Sequence, residues 1–452
     1  MPPEAPNASW PLTGRAGADV ICRRGGRPVT VRRLLGEAAA LAGRLPARGG
    51  AHAVNLCADR TLMLLGFAAA LARGHTTLLS ADPSPARLRA LAARYPGAYA
   101  LADGPVEGAP LPVLRLDDGH RPAAGEPGCD APRIPAGRIA AIAFTSGSTG
   151  EPTAHTKPWG ALVAGASAAA ERFGLRPGDG PPTSVVATVP PQHMYGFETT
   201  IMLPLWAAVA THAGESFFPS DVLDALAALP PRRLLVTTPL HLRALLAEGR
   251  RPAPLAAVIS ATAPLAASMA EAVERDWRTP MLEIYGATEA GSMASRRTAA
   301  EPDWRPYRGV RIRPGAVAVP GLGEVPLADA VEPTEGGRFR LLGRRTDLVK
   351  LGGRRASLAE LNRLLAEVEG VQDGVFLAPE DIENNPAARL TALVVAPGRS
   401  AEDILGALRA RLDPVFLPRP VVLVPALPRN RLGKLPHGAL SALRPEAAAG
   451  GA

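Results

Sequence analysis

Thr145-Ser146-Gly147-Ser148-Thr149-Gly150-Glu151-Pro152 follows an unbroken apolar run at 139–144 and leads within a few residues into a helical stretch at 159–173. The run reads as a buried strand, so the segment is a strand-to-helix loop. Its two glycines let backbone amides turn inward, and its four hydroxyl side chains can donate to phosphate oxygens. A Walker-type loop would close on Gly-Lys-Ser/Thr, which is missing here, so ordinary P-loop nucleotidases are disfavoured. Read alone, the segment is equally compatible with a plain Ser/Gly linker.

Reading toward the C-terminus, further apolar runs at 185–189, 234–236, 256–259 and 281–284 alternate with helical stretches. Such alternation predicts a mostly parallel sheet with helices on its faces. The third and fourth of these runs each end in a second candidate loop. One is Ser260-Ala261-Thr262-Ala263-Pro264-Leu265, and the other is Tyr285-Gly286-Ala287-Thr288-Glu289. Beyond them lie Asp329 and, fifteen residues later, Arg344 in Gly343-Arg344-Arg345-Thr346-Asp347-Leu348-Val349-Lys350. Near the end stands Leu427-Pro428-Arg429-Asn430-Arg431-Leu432-Gly433-Lys434.

Taken in order, these motifs resemble those of the adenylate-forming superfamily, which holds acyl-CoA synthetases, luciferases and peptide-synthetase adenylation domains. The resemblance covers roughly residues 138–440. It implies that Thr145 to Gly150 hold the ATP phosphates, that Ala263 and Pro264 line the adenine, and that Tyr285, beside Gly286, stacks on it. Thr288 would contact the α-phosphate and Glu289 would hold Mg²⁺, a suitable oxygen ligand for a hard cation. Asp329 and Arg344 would grip the ribose. Lys434 would be the catalytic ammonium that bridges carboxylate and phosphate as charge redistributes. The loop carrying Lys350 and Gly353 would face the incoming thiol.

The implied fold is a large α/β N-terminal domain, 1–343, with mostly parallel sheets and flanking helices. A hinge at 344–347 would join it to a small, mobile α+β C-terminal domain, 348–452. The implied activity is conversion of a carboxylic acid to its acyl-AMP, then transfer to a phosphopantetheine thiol on an acyl carrier protein or coenzyme A. Two alternatives share the fold: a non-catalytic adenylate-binding sensor or scaffold, and a luciferase-like oxygenase.

Pro191-Gln192-His193-Met194-Tyr195-Gly196-Phe197 resembles the acyl-pocket motif of aryl- and acyl-CoA ligases, with His193 at the pocket mouth. Only Glu198 is acidic between Pro190 and Thr200, where amino-acid-activating domains carry an Asp for the substrate ammonium. An uncharged aryl or alkyl acid is therefore expected. The chain also departs from the family. Thr153 replaces the usual lysine after the loop proline, and His155 or Lys157 is the candidate to supply the missing positive charge. Ala261-Thr262 stands where Gly-Gly is common, and Thr346 occupies a hinge position usually held by Asp or Lys. The short length and the Thr-x-His-x-Lys loop are similar to ligases of aryl-polyene and xanthomonadin pathways, which load hydroxybenzoate-like or hydroxycinnamate-like acids onto a carrier protein.

Composition agrees with a globular chain of more than one domain: 452 residues, 47% of them apolar. The formal charge is +8, but no basic run interleaves with aromatics, so nucleic acid is not an expected partner. Of 50 basic residues only Lys157, Lys350 and Lys434 are lysine, and all three fall in the motif segments. In an arginine-biased chain, retained lysines point to places that need a compact ammonium. Residues 338–363 hold eight basic and two acidic side chains, a patch suited to an acidic carrier protein or to the phosphates of coenzyme A. Three scattered cysteines give neither a disulfide framework nor a zinc site. No apolar run approaches the ~20 residues of a membrane span, and no signal pattern opens the chain, so a cytoplasmic location is expected.

Overall fold

Two twisted sheets enclose one central helix. In the computed structural model the described residues are 8–47, 50–80, 82–117, 130–145, 152–178, 180–214, 216, 218–344, 348–351, 354–379, 389–429, 435 and 443. The first sheet runs, in spatial order, Thr153–Pro158, Ile139–Thr145, Thr76–Leu79, His52–Asn55, Tyr99–Ala102 and Val113–Arg115. The second runs Arg305–Pro306, Gly291–Arg297, Met281–Ala287, Leu255–Ser260, Arg233–Thr237, Thr183–Ala187, Val209–His212, Val20–Arg24 and Arg27–Thr30. Strands in the middle of both sheets are parallel, and antiparallel hairpins close one edge of the first and both edges of the second.

The helix Arg60–Ala72 explains how the sheets stay together. Its residues from Arg60 to Leu71 are all buried, as expected for a helix that is apolar on every side. Asp59 caps its start by accepting from the amides of Thr61 and Leu62 at 2.8 and 3.1 Å. Phe67 sits at its centre, edge-on to Phe197 with ring centroids 5.1 Å apart. Arg60, 3% exposed, reaches the second sheet and donates to the carbonyls of Ala187, Val189 and Gly214. One helix thus carries both the apolar glue and a polar clamp between the sheets.

After the second sheet come two small antiparallel units, Arg311–Arg313 with Ala316–Val319 and Gly323–Pro326, then Asp329–Pro333 with Phe339–Arg344. The segment from Leu348 has its own core, in which Leu365, Phe376, Ala392, Val394, Ile404 and Leu408 are fully or almost fully buried. Its elements are the hairpin Leu348–Leu351 and Arg354–Ser357, the helices Leu358–Ala366 and Ala401–Arg409, and a sheet of Asp373–Leu377, Thr391–Val395 and Val421–Leu423. This is the large α/β unit with a small α+β unit expected from the motif order. Among the described residues no helix is long and apolar enough to cross a membrane. Cys22 and Cys57 are free and buried, and burial pushes both thiols well above their ordinary value.

Candidate active site

The loop that opened the reading begins at Thr145, the last residue of its strand. Ser146, Gly147, Ser148, Thr149 and Gly150 lie outside the described residues. The chain returns antiparallel as Thr153–Pro158, with Thr153 opposite Thr145 and Lys157 opposite Ala141. From sequence this stretch reads as part of a loop-to-helix connection. It is an edge strand, and its polar residues are therefore held at fixed positions.

His155 and Lys157 take different posts along that strand. His155 Nε2 lies 2.9 Å from Thr145 Oγ1, bracing the root of the loop. Burial, with a smaller contribution from Lys157, lowers the imidazole pKa against the pull of Glu289. Lys157 is 1% exposed, and its Nζ donates to the Glu289 carbonyl at 2.7 Å. Desolvation brings its pKa down to about 8, against the opposing fields of Glu198 and Glu289. Of the two residues suggested for the missing phosphate cation, His155 touches the first residue of the loop and Lys157 holds the backbone of the acidic residue implied to hold the metal.

The Tyr285-to-Glu289 segment is the end of strand Met281–Ala287 and the turn into Gly291–Arg297. Gly286 is required there, because a Cβ would stand 2.8 Å from the Gly291 carbonyl oxygen. Tyr285 packs against Trp304 and Phe339, with ring centroids 5.6 and 5.8 Å away, and is 7% exposed. Its hydroxyl donates to Asp329 Oδ2 at 2.5 Å. Asp329 stands directly across the hairpin from Arg344. The fifteen-residue spacing thus becomes a cross-strand pair, and the tyrosine orients the acid of that pair.

The remaining candidates divide. Ala263 is half-buried and Pro264 exposed at the end of strand Leu255–Ser260, both open to a ligand. Thr262 there has φ +81°, a left-handed backbone that costs a β-branched residue about 1–2 kcal/mol. His193 is half-buried at the start of the short helix Met194–Phe197. Gly196 in that helix presses on the Pro190 carbonyl, and Tyr195 donates to the Ile259 carbonyl at 3.0 Å. Thr288 and Glu289 are half-buried at the turn. Lys434 and Gly353 lie outside the described residues. Lys350 is described only as a position on strand Leu348–Leu351, and Arg344 as one on Phe339–Arg344.

Glu289 is the sole acidic residue at that turn, and no group of three or more His, Cys, Asp or Glu side chains suited to a metal occurs among the described residues. Mg²⁺ is commonly held by one or two carboxylates plus substrate phosphates rather than by an all-protein cage, so the single Glu289 carboxylate fits it.

Three contributors escaped the sequence reading. Ser292 donates through its amide and, at 2.5 Å, its hydroxyl to Glu198. Trp304 backs Tyr285 and itself lies under the Arg296 guanidinium at 4.5 Å. Tyr307, 2% exposed, shares a cleft with Glu198, Ser292 and Lys157. Glu198 alone had left a signal, as the lone acid of its segment.

Residues 15–319 match the family model described as AMP-binding enzyme. This chain belongs to that family. With membership come the adenylate-forming fold and the acid–thiol ligase class. A relative from Halorhodospira halophila, described as 4-coumarate–CoA ligase, is 30% identical over 306 residues, covering 64% of this chain and 73% of that one. ATP-bound MatB from Rhodopseudomonas palustris superposes with a TM-score of 0.80 at 19% identity over 94% of this chain and 96% of that one. The o-succinylbenzoate CoA synthetase MenE from Bacillus subtilis, complexed with its acyl-adenylate, superposes at 0.79 and 19% identity over 95% and 97%. These two likenesses describe the fold.

Proposed function

We propose that this enzyme activates an aryl or acyl carboxylic acid as its acyl-AMP at the expense of ATP, and then passes the acyl group to a phosphopantetheine thiol. The observation that carries this reading is the Lys157–Glu289 contact of 2.7 Å. It ties the hairpin of the phosphate loop, in one sheet, to the Thr288–Glu289 turn of the other. The strand that leaves the phosphate loop and the Thr288–Glu289 turn are joined by it, and Tyr285, three residues before Thr288, reaches Asp329; both contacts support the reading.

In the first step a carboxylate oxygen attacks the α-phosphorus, the bond to the β-phosphate oxygen breaks, and pyrophosphate leaves. Thr145, braced by His155, starts the loop that holds the departing phosphates. Lys157 fixes the Glu289 backbone, and Asp329, oriented by Tyr285, fixes the sugar. Mg²⁺, held by Glu289 and the phosphates, would neutralise phosphate charge that otherwise repels the carboxylate. Lys434 is read as the ammonium that spans carboxylate and phosphate as the bond forms. In the second step a thiolate attacks the acyl carbonyl and AMP leaves with the C–O bonding pair. Rotation of the small domain about 344–347 would withdraw Lys434 and present the Lys350–Gly353 loop, so that one site serves both reactions.

An aryl acid is favoured by the 4-coumarate-ligase relative and by the His193 segment. The Thr-x-His-x-Lys strand supports a carrier-protein acceptor of the aryl-polyene type, with coenzyme A as the other source of the same thiol, and the basic run at 338–363 suits either. ATP–pyrophosphate exchange across a panel of aryl and alkyl acids tests the first step. Thioester capture on coenzyme A and on a carrier protein, run in parallel, tests the second. No exchange with any acid refutes the ligase reading and favours an adenylate-binding scaffold.

A further inference from the structure

Glu283 stands inside strand Met281–Ala287 and is 3% exposed. A carboxylate buried among apolar neighbours is costly unless it is paired and hydrogen-bonded, so its partners show what it is there for. Residues two apart on a strand share a face, which puts Glu283 on the same side as Tyr285. Across the antiparallel pair, Arg296 stands opposite Glu283 and Ala294 opposite Tyr285. The acid and its cation thus lie two residues along the strand from the ring implied to stack on adenine.

Oε1 of Glu283 accepts from the Leu265 amide at 2.9 Å. Oε2 accepts from Arg296, Nε at 2.9 Å and Nη2 at 2.8 Å, and from the Thr298 hydroxyl at 3.0 Å. A carboxylate offers about four acceptor sites, so these donors occupy it and it acts through them rather than on a ligand. Two of the contacts end on walls of the nucleotide site. Leu265 closes the turn that starts at Ser260 and carries Ala263 and Pro264. Within that turn Thr262 holds φ +81°, a strained backbone that persists only where its surroundings over-determine it. The bond from Leu265 to Glu283 is one such restraint. On the other side the Arg296 guanidinium lies 4.5 Å over the Trp304 ring, and Trp304 backs Tyr285 at 5.6 Å. The Trp304 backbone is pinned separately, by reciprocal bonds with Phe339 at 2.8 and 3.1 Å. What the guanidinium adds is the tilt of the indole and, through it, the seat of the Tyr285 ring.

We propose that Glu283 and Arg296 are positioning residues that set the spacing of the adenine slot. One carboxylate fixes the Ala263–Pro264 wall through an amide and the Tyr285 wall through a stacked guanidinium, so the two walls are held in step. This deepens the ligase reading and rests on its adenine site. Charge-assisted hydrogen bonds are roughly twice as strong as neutral ones, which suits an ion pair to that task better than a neutral amide. The adjacent pair Glu274 and Arg297 gives the contrast. Arg297 is 48% exposed, and its partner Glu274 accepts from the Met281 amide at 3.0 Å, away from both walls.

The test is pyrophosphate exchange by the full chain with ATP and the acid varied in turn, beside equilibrium binding of AMP. Glu283→Gln keeps an acceptor for the Leu265 amide and loses the ion pair. Arg296→Met loses the ion pair and the stacking on Trp304. Each should raise KM for ATP and Kd for AMP about five- to tenfold, the worth of one hydrogen bond, with KM for the acid within roughly twofold of wild type. The double variant leaves no unpaired charge, so it carries the test if a single variant does not fold. Its effect should match that of one substitution rather than the product of two, because the pair acts as a unit. Arg297→Met, which breaks the adjacent pair, should leave all three constants unchanged. The proposal is overturned if KM for ATP and for the acid rise together, if the melting temperature falls with KM for ATP unmoved, or if Arg297→Met imitates Arg296→Met. Exchange by wild type with no change of KM for ATP in any variant keeps the ligase and removes the positioning role. AMP binding that weakens in Glu283→Gln and Arg296→Met, with no acid supporting exchange by wild type, removes the ligase reading and keeps the positioning role.

Discussion

Replacing Lys157 by Met should leave the fold standing and disable the site. Burial lowers the Lys157 pKa from 10.5 to about 8. A shift of that size corresponds to a cost of about 3 kcal/mol for keeping the ammonium charged inside the folded protein. The cost is fully present below pH 8, where folded and unfolded chains are both protonated. It fades between pH 8 and 10.5, where the folded chain gives up its proton first, so wild-type stability gains from rising pH in that window. Methionine removes the cost, but it leaves the Glu289 carbonyl without its 2.7 Å donor, a loss of about 1–3 kcal/mol. The two nearly cancel. At pH 7 the melting temperature should move by only a few degrees, while pyrophosphate exchange should fall about 10- to 100-fold because the turn bearing Thr288 and Glu289 is no longer pinned. Chemical denaturation at several pH values checks the first part, with the stability difference shifting toward wild type by up to about 3 kcal/mol between pH 8 and 10.5. A variant that exchanges at the wild-type rate, or a stability difference flat across that range, refutes the reasoning.

Tyr285→Phe removes the 2.5 Å bond that orients Asp329 and should raise KM for ATP roughly five- to tenfold, the scale of one hydrogen bond, with kcat less affected; exchange kinetics at varied ATP check this. Lys434→Ala should slow adenylation by at least ~10²-fold and spare thiol transfer from supplied acyl-AMP; unchanged exchange would remove Lys434 from the mechanism. Gly196→Ala drives a methyl group into the Pro190 carbonyl and should destabilise the fold by 3 kcal/mol or more, read as a lost or strongly lowered melting transition.

The parallel strands were legible because each holds a short, largely buried apolar run, and the structure confirms them with boundaries shifted by up to three residues. The strand Thr153–Pro158 was not, for a physical reason. It is an edge strand of Thr, Ala, His, Thr, Lys and Pro with no apolar run, and its pairing with Ile139–Thr145 is fixed by the hairpin rather than by its own composition. The same distinction runs through the site. Asp329 and Arg344 came from the resemblance and its fifteen-residue spacing, and the structure sets the two positions opposite each other across a hairpin. Glu198, Ser292 and Tyr307 lie on separate stretches of the chain, and only tertiary packing reveals that one carboxylate, one serine and one buried phenol share a wall.

Arg429 grips Asp373 with a two-pronged ion pair, Nε to Oδ2 at 2.6 Å and Nη2 to Oδ1 at 2.7 Å. That pair moors the chain to strand Asp373–Leu377 just before the stretch that ends in Lys434. Five residues of chain span at most about 17 Å, and that span sets a radius around the moored residue within which the Lys434 backbone must lie. Any target for that ammonium beyond the radius must be met by carrying the post itself, which turns a local loop motion into travel of the whole C-terminal unit.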